Sequence, residues 1–143
     1  MNRFASTFSC LTPIALLLAC GPSEYQLHSG TYIADASAAN EEVFRNLTLV
    51  VDKEAGTAVL TPGTGSPINL TFSGVVMTDQ PRQFDFARLH QVVLTPNPIS
   101  VNGQTISSPI LTPVASETRQ VTIFGRNQEG SVSPSILFVT GED

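Results

Sequence analysis

The residue whose type and setting could support covalent chemistry is Cys20, a thiol at the end of an apolar run near the start of the chain. Residues 1–19 have the three parts of an export signal: a short start carrying Arg3, an apolar middle and a small residue, Ala19, before the cut. The run from Leu11 to Cys20 is too short to span a bilayer, which needs about 20 apolar residues. We therefore expect a cleaved apolar signal helix, with Cys20 kept in the mature chain.

The four residues Leu17-Leu18-Ala19-Cys20 resemble the lipobox of bacterial lipoprotein signals. In that family a diacylglycerol is joined to the cysteine sulfur by a thioether, and a dedicated peptidase then cuts before the cysteine. The resemblance implies lipidation of Cys20 and attachment to the membrane through that lipid. Because Gly21 rather than Asp follows, it also implies the outer membrane. Two or three acyl chains, at about 0.8 kcal/mol per buried CH₂, anchor a protein stably.

Two other interpretations of the same residues stay open. An ordinary export signal could be cut after Gly21, because Ala19-Cys20-Gly21 is also a small-x-small pattern. The segment could instead be a buried N-terminal helix of a cytosolic protein, although it lacks a polar face. Cys10 is a poorer lipidation site, since hardly any apolar run precedes it.

The charge distribution argues against nucleic acids as partners, and the composition favours strands. The net charge is −5, and the seven basic residues are scattered, so no basic stripe is available to bind the phosphates of nucleic acids. Charged residues are only 13% of the chain, and Ser, Thr, Val and turn residues are frequent, which suits strands better than helices.

The sequence carries no recognisable catalytic or cofactor-binding motif. A zinc site would have to combine His28 and His90 with carboxylates distant in sequence, so we expect no metal and no cofactor. We predict that the protein is not an enzyme.

Strand and turn signals alternate along the rest of the chain. The clearest hairpin is 47–62, LTLVVDKEAGTAVLTP, in which Leu47, Leu49 and Val51 alternate with polar or smaller residues before a Gly-containing turn. Asn102-Gly103 is the pair that a two-residue type I′ turn requires. The segments RQVTIFG and SPSILFVT are predicted to pair across the polar loop 126–131.

The segment 78–96, TDQPRQFDFARLHQVVLTP, could begin a helix at Asp79 or form a strand. The strand is favoured by the β-branched residues at its end, and it would place Phe84, Phe86, Arg88, His90, Val92 and Leu94 on one face. Arg88 and His90 would then be polar contacts in a ligand cavity or, as we favour, residues at a barrel rim or sheet edge. Asp85 could pair with an Arg across a strand.

We predict an all-β fold: an antiparallel meander of about eight strands forming a small barrel, with a two-sheet β-sandwich as the alternative. The predicted organisation is a signal peptide at 1–19, the lipid-anchored Cys20 with a short tether at 20–29, and one β domain at 30–143.

Three classes of function remain. The first is a non-enzymatic envelope module that binds a protein partner or builds surface structures. The second is a small barrel carrying or sensing an apolar ligand; residues 29–32, SGTY, and the hairpin after them faintly resemble lipocalin-like barrels and copper-homeostasis lipoproteins, but the Cys-x-x-Cys pair of the latter is missing. The third is an envelope hydrolase. Inward-facing Phe72, Phe84 or Phe86 around an empty space would favour ligand carriage, whereas a filled core with an apolar patch outside would favour protein binding.

Overall fold

The computed structural model describes residues 23–37, 40–81, 86–114, 119–126 and 132–141. Within these ranges the fold is all-β, and the one helical element is a short 3-10 turn, Glu42–Phe44. The strands are β1 (Ser23–Tyr25), β2 (Gly30–Ala34), β3 (Leu47–Asp52), β4 (Thr57–Pro62), β5 (Ile68–Thr71), β6 (Val76–Pro81), β7 (Phe86–Val93), β8 (Ile99–Val101), β9 (Gln104–Ile106), β10 (Ile110–Pro113), β11 (Gln120–Arg126) and β12 (Val132–Thr140). The all-β prediction is confirmed.

Nine strands form a curled, half-barrel sheet in the order β1-β7-β10-β11-β12-β2-β3-β4-β5, and β6 pairs with β7 outside this path. All of these strand pairs are antiparallel except β1 with β7, which is parallel. The end of β5 also meets the chain just beyond β7 at an isolated antiparallel bridge between Thr71 and Thr95. The strands β8 and β9 form a separate hairpin.

The local patterns predicted from the sequence account for the hairpins. In β3 the residues Leu47, Leu49 and Val51 are buried, and they alternate with partly or fully exposed neighbours. The turn that follows needs Gly56, whose φ of 72° lies in the left-handed region and whose N–H donates to the carbonyl of Asp52. Asn102 and Gly103 both have positive φ between β8 and β9, as a type I′ turn requires.

One face of the half-barrel sheet carries the hydrophobic core. Its fully buried side chains include Leu49, Leu60, Ile123, Ile136 and Phe138. The β8–β9 hairpin covers one part of this core with Ile99, Val101 and Ile106. The Nδ2 of Asn102 donates to the carbonyl of Val43 at 2.7 Å, and this bond ties the hairpin to the 3-10 turn that buries Phe44.

The sheet begins earlier than the predicted domain boundary at residue 30. Residues 23–25, which we expected in the tether, form β1 against β7, and Leu27 is buried in the core at 2% exposure. The physical reason is that one apolar side chain and three backbone pairs are enough to hold this segment, although they are too few to form a visible pattern. The signal helix and Cys20 lie outside the described residues. No helix in the part of the chain that the structure describes is long and apolar enough to cross a bilayer.

Candidate functional site

The strands β1, β6 and the first part of β7 form a three-stranded extension of the half-barrel sheet, which we call the flap (residues 23–25, 76–81 and 86–91). β6 pairs with β7 over the whole length of β6, and β1 lies on the opposite edge of β7 beside residues 87–89. Two consecutive side-chain hydrogen bonds join the flap to β10. Thr78 Oγ1 donates to Gln91 Oε1, and Gln91 Nε2 donates to Thr112 Oγ1 at 3.0 Å. The flap carries the polar residues that the sequence singled out.

Arg88 lies on the flap in the middle of a small charged cluster. Its Nε is 3.2 Å from Asp79 Oδ1 on the neighbouring strand, and its Nη1 is 3.9 Å from Glu24 Oε2 on β1. All three side chains are partly exposed, so the pairs contribute little to stability. Asp85, the expected partner, lies outside the described residues, and Asp79 takes the cross-strand position instead.

His90 is more enclosed than Arg88. Its side chain is 17% exposed, and its buried Nε2 atom has no hydrogen-bond partner among the described residues; Glu24 Oε1 lies 3.6 Å from it. Alternation along β7 puts His90 on the same face as Val92, whose side chain is buried in the core. The predicted strand is therefore confirmed over Phe86–Val93, and it brings His90 to the margin between core and flap.

A cleft of ≈ 330 Å³ opens beside His90. Leu27 and Val92 provide a buried apolar floor, and the β3–β4 turn and the link between β5 and β6 form the walls. Its lining residues are Leu27, Lys53, Glu54, Ala55, Gly56, Phe72, Ser73, Gly74, Val75, His90 and Val92. The cleft combines apolar contact area with the imidazole of His90, the ammonium group of Lys53 and the carboxylate of Glu54.

Phe72, Phe84 and Phe86 were expected to distinguish ligand carriage from protein binding, according to whether they face an internal space. Phe72 is partly buried and packs against the core, whereas Phe86 is 53% exposed on the flap. Phe84 lies outside the described residues. Of the two that the structure describes, Phe72 borders the cleft and Phe86 does not.

Half of the large apolar side chains that are exposed in the described residues lie on the flap or directly before it: Val75, Val76, Met77 and Phe86. The others, Ile33, Val43, Val50 and Val93, are distributed over different elements. Sequence reasoning missed Val75, Val76 and Met77, although this apolar run after Gly74 was a usable signal. Adjacent residues of a strand point to opposite faces, so Val76 and Met77 expose apolar area on both sides of β6.

Among the described residues, no group of three or more His, Cys, Asp or Glu side chains is arranged to hold a metal ion. Comparison with known proteins gives no match, whether by family model, by sequence against curated proteins or against solved structures.

Proposed function

We propose that the protein is a lipid-anchored, non-enzymatic binding module of the bacterial cell envelope. Acyl chains on Cys20 hold it in the outer membrane, and the β domain binds an envelope protein through the flap. The lipobox-like residues 17–20 support the anchor. The observation that carries the binding role is the run of exposed apolar residues Val75, Val76 and Met77 at the start of β6, a strand that lies outside the main sheet order.

We further propose that the β domain closes into a small barrel of eight strands. In the sheet order, β7, β10, β11 and β12 are neighbours in chain order, and β12 is followed by β2, β3, β4 and β5, also in chain order. The bridge between Thr71 and Thr95 supports closure between β5 and the end of β7. A rigid body of this kind suits a binding module, since its surface residues are fixed by the core beneath them.

The anchor is tested by mass spectrometry of the exported protein, with Cys20→Ser and the matched control Cys10→Ser. The wild type and the Cys10→Ser variant should both begin at position 20 and carry a diacylglyceryl group, and both should sediment with membranes. The Cys20→Ser variant should lack the lipid. An unmodified thiol or an uncut leader in the wild type would overturn the anchor.

The binding role is tested by site-specific photo-crosslinking in native envelopes. A photoreactive residue at Met77 should give a discrete crosslinked protein. The same residue at Val50, which is similarly exposed on β3, should not. Equal patterns from both positions would contradict a binding surface on the flap.

A second candidate, carriage of a small apolar ligand, is favoured by the cleft beside His90. If this role is correct, a fluorescent apolar probe such as 8-anilinonaphthalene-1-sulfonate should bind with one-site stoichiometry. Binding should be lost in Val75→Asp, which charges the wall of the cleft, and kept in Val50→Asp. Retention of probe binding in both variants would exclude the cleft.

A further inference from the structure

The first strand fixes where the membrane tether leaves the domain. β1 runs parallel to β7, with Ser23 beside Ala87 and Tyr25 beside Leu89. The chain therefore enters the flap at the end that holds Phe86 and Pro81, which are cross-strand partners, and it runs from there toward the half-barrel. We call this end, residues 23, 81 and 86, the flap tip.

The tether is too short to let any other part of the domain approach the bilayer first. Cys20 lies three residue steps before Ser23, and three extended residues span at most about 11 Å. A domain of this length has a radius of roughly 17 Å. If the acyl chains on Cys20 are in the bilayer, the flap tip must face it, because the tether is shorter than the radius of the domain.

The flap tip has the chemistry of a membrane-interface contact. Phe86 is 53% exposed there, and its cross-strand partner Pro81 is also exposed. Arg88, two residues further along β7, is paired with Asp79 and Glu24. Residues 82–85, which join Pro81 to Phe86 in the sequence, include one cation and one anion, Arg82 and Asp85, so they add no net charge. Aromatic side chains are favoured at the boundary between headgroups and acyl chains. An apolar ring that is exposed where the tether emerges is thus placed against lipid.

We propose that Phe86 inserts into the interface of the bilayer that holds the lipid on Cys20, so that the flap tip is a second membrane contact and sets the orientation of the domain. This inference rests on the proposed lipidation. The partner of the flap tip is the bilayer surface, not another protein. The exposed residues 75–77, at the other end of β6, then point away from the bilayer and stay accessible to a protein partner.

The absence of Trp from the sequence allows a direct test. Phe86→Trp and the control Val50→Trp each introduce a single indole, the second on β3 and far from the flap in the sheet order. The full-length lipidated variants are placed in vesicles of phosphatidylethanolamine and phosphatidylglycerol, with and without brominated acyl chains. In the lipidated protein, the brominated lipid should quench at least half of the fluorescence of the Phe86→Trp indole. This indole should also emit at shorter wavelength than in the unlipidated double variant Cys20→Ser, Phe86→Trp in buffer without detergent. The indole of Val50→Trp should change little.

Each other result has a definite meaning. If mass spectrometry confirms the lipid and the protein floats with the vesicles, but the indole of Phe86→Trp is not quenched, the tip does not touch lipid and the inference is overturned while the anchor stands. A blue-shifted but unquenched indole would overturn it in the same way, because protein rather than lipid would cover the ring. Equal quenching at both positions would mean that the domain has no fixed orientation. If the protein carries no lipid, the proposed anchor fails and this inference fails with it.

Discussion

Thr71 and Thr95 exchange two backbone hydrogen bonds, each 2.9 Å from N to O, across a single antiparallel bridge. The bridge joins the end of β5, the last strand of the sheet order, to the chain two residues beyond β7. Beyond this point the chain passes from β5 into β6 and continues along β7 as part of the flap. One pair of residues thus links β5, at one end of the sheet order, to the chain that leaves β7, near the other end.

Removal of one donor from this bridge should weaken the fold. In Thr71→Pro the N–H that bonds to the carbonyl of Thr95 is lost, while the exposed side chain of Thr71 has no packing role. We expect a loss of about 1–3 kcal/mol in the free energy of unfolding, measured by urea denaturation. Thr71→Ala keeps the backbone bonds and should change stability by less than about 0.5 kcal/mol. Equal losses in both variants would show that the side chain, and not the bridge, matters.

Leu27 gives a sharp test of where the domain begins. It is 2% exposed and belongs to the main core cluster, although it precedes the residue at which we predicted the domain to start. Leu27→Ala should cost about 2–4 kcal/mol of unfolding free energy. The neighbouring exposed Gln26, changed to Ala, is the matched control and should be nearly neutral. If Leu27→Ala unfolds at the same urea concentration as the wild type, Leu27 does not stabilise the domain, and this segment belongs to the tether.

The elements that the sequence predicted well are those with local signals. Leu47, Leu49 and Val51 alternate strictly before the turn that contains Gly56, and Ala58 and Leu60 resume the alternation after it. Both strands and their pairing could therefore be predicted from one short window. The type I′ turn at Asn102-Gly103 was predictable for the same reason. The antiparallel arrangement of β11 and β12 followed from two apolar segments on either side of a polar loop.

The elements that were missed depend on contacts distant in sequence. β1 is three residues long and acquires its place from β7, which lies more than sixty residues further along the chain. The phase of β7 is also set by its surroundings: Ala87 and Leu89 are buried on one face of the flap, and Val92 and Leu94 are buried on the other face, toward the core. A single period-2 pattern could not show that one strand serves two different layers. The lipidation of Cys20, in contrast, stays a prediction from the sequence.

Asn40 is the buried polar residue through which the loop after β2 is held to β12. Its Nδ2 donates to the carbonyls of Asp35 and Leu137, at 2.8 and 2.9 Å, and its Oδ1 accepts from the N–H of Leu137. Asn40→Asp keeps the acceptor but replaces both donors with an oxygen that faces two carbonyls. We expect a loss of about 2–4 kcal/mol at pH 7 in urea denaturation. Asn69→Asp, at an exposed position of β5, should change stability by less than about 0.5 kcal/mol, and a similar loss there would point to net charge as the cause.

Tyr32 should make the fold sensitive to alkaline pH. Its side chain is 3% exposed and its hydroxyl donates to the carbonyl of His28 at 2.7 Å. Burial raises the pKa of Tyr32 above its usual value of 10.0, an effect that the nearby Arg119 guanidinium partly offsets. The folded state therefore binds the phenolic proton more tightly than the unfolded chain, so the stabilising effect is complete below pH 10 and declines as the pH rises through the folded pKa.

Tyr32→Phe removes this titration and the hydrogen bond together, so the comparison between two pH values is the informative one. At pH 8 the variant should be less stable than the wild type by about 1 kcal/mol, the usual contribution of one hydrogen bond. Between pH 8 and pH 11 the wild type should lose more unfolding free energy than the variant, because Tyr32 ionises only in the wild type and all other groups are the same in both proteins. Urea denaturation of both proteins at the two pH values measures this double difference. A double difference of zero would mean that the hydroxyl of Tyr32 ionises as readily in the folded protein as in the unfolded chain, and its burial would then place no constraint on the proton.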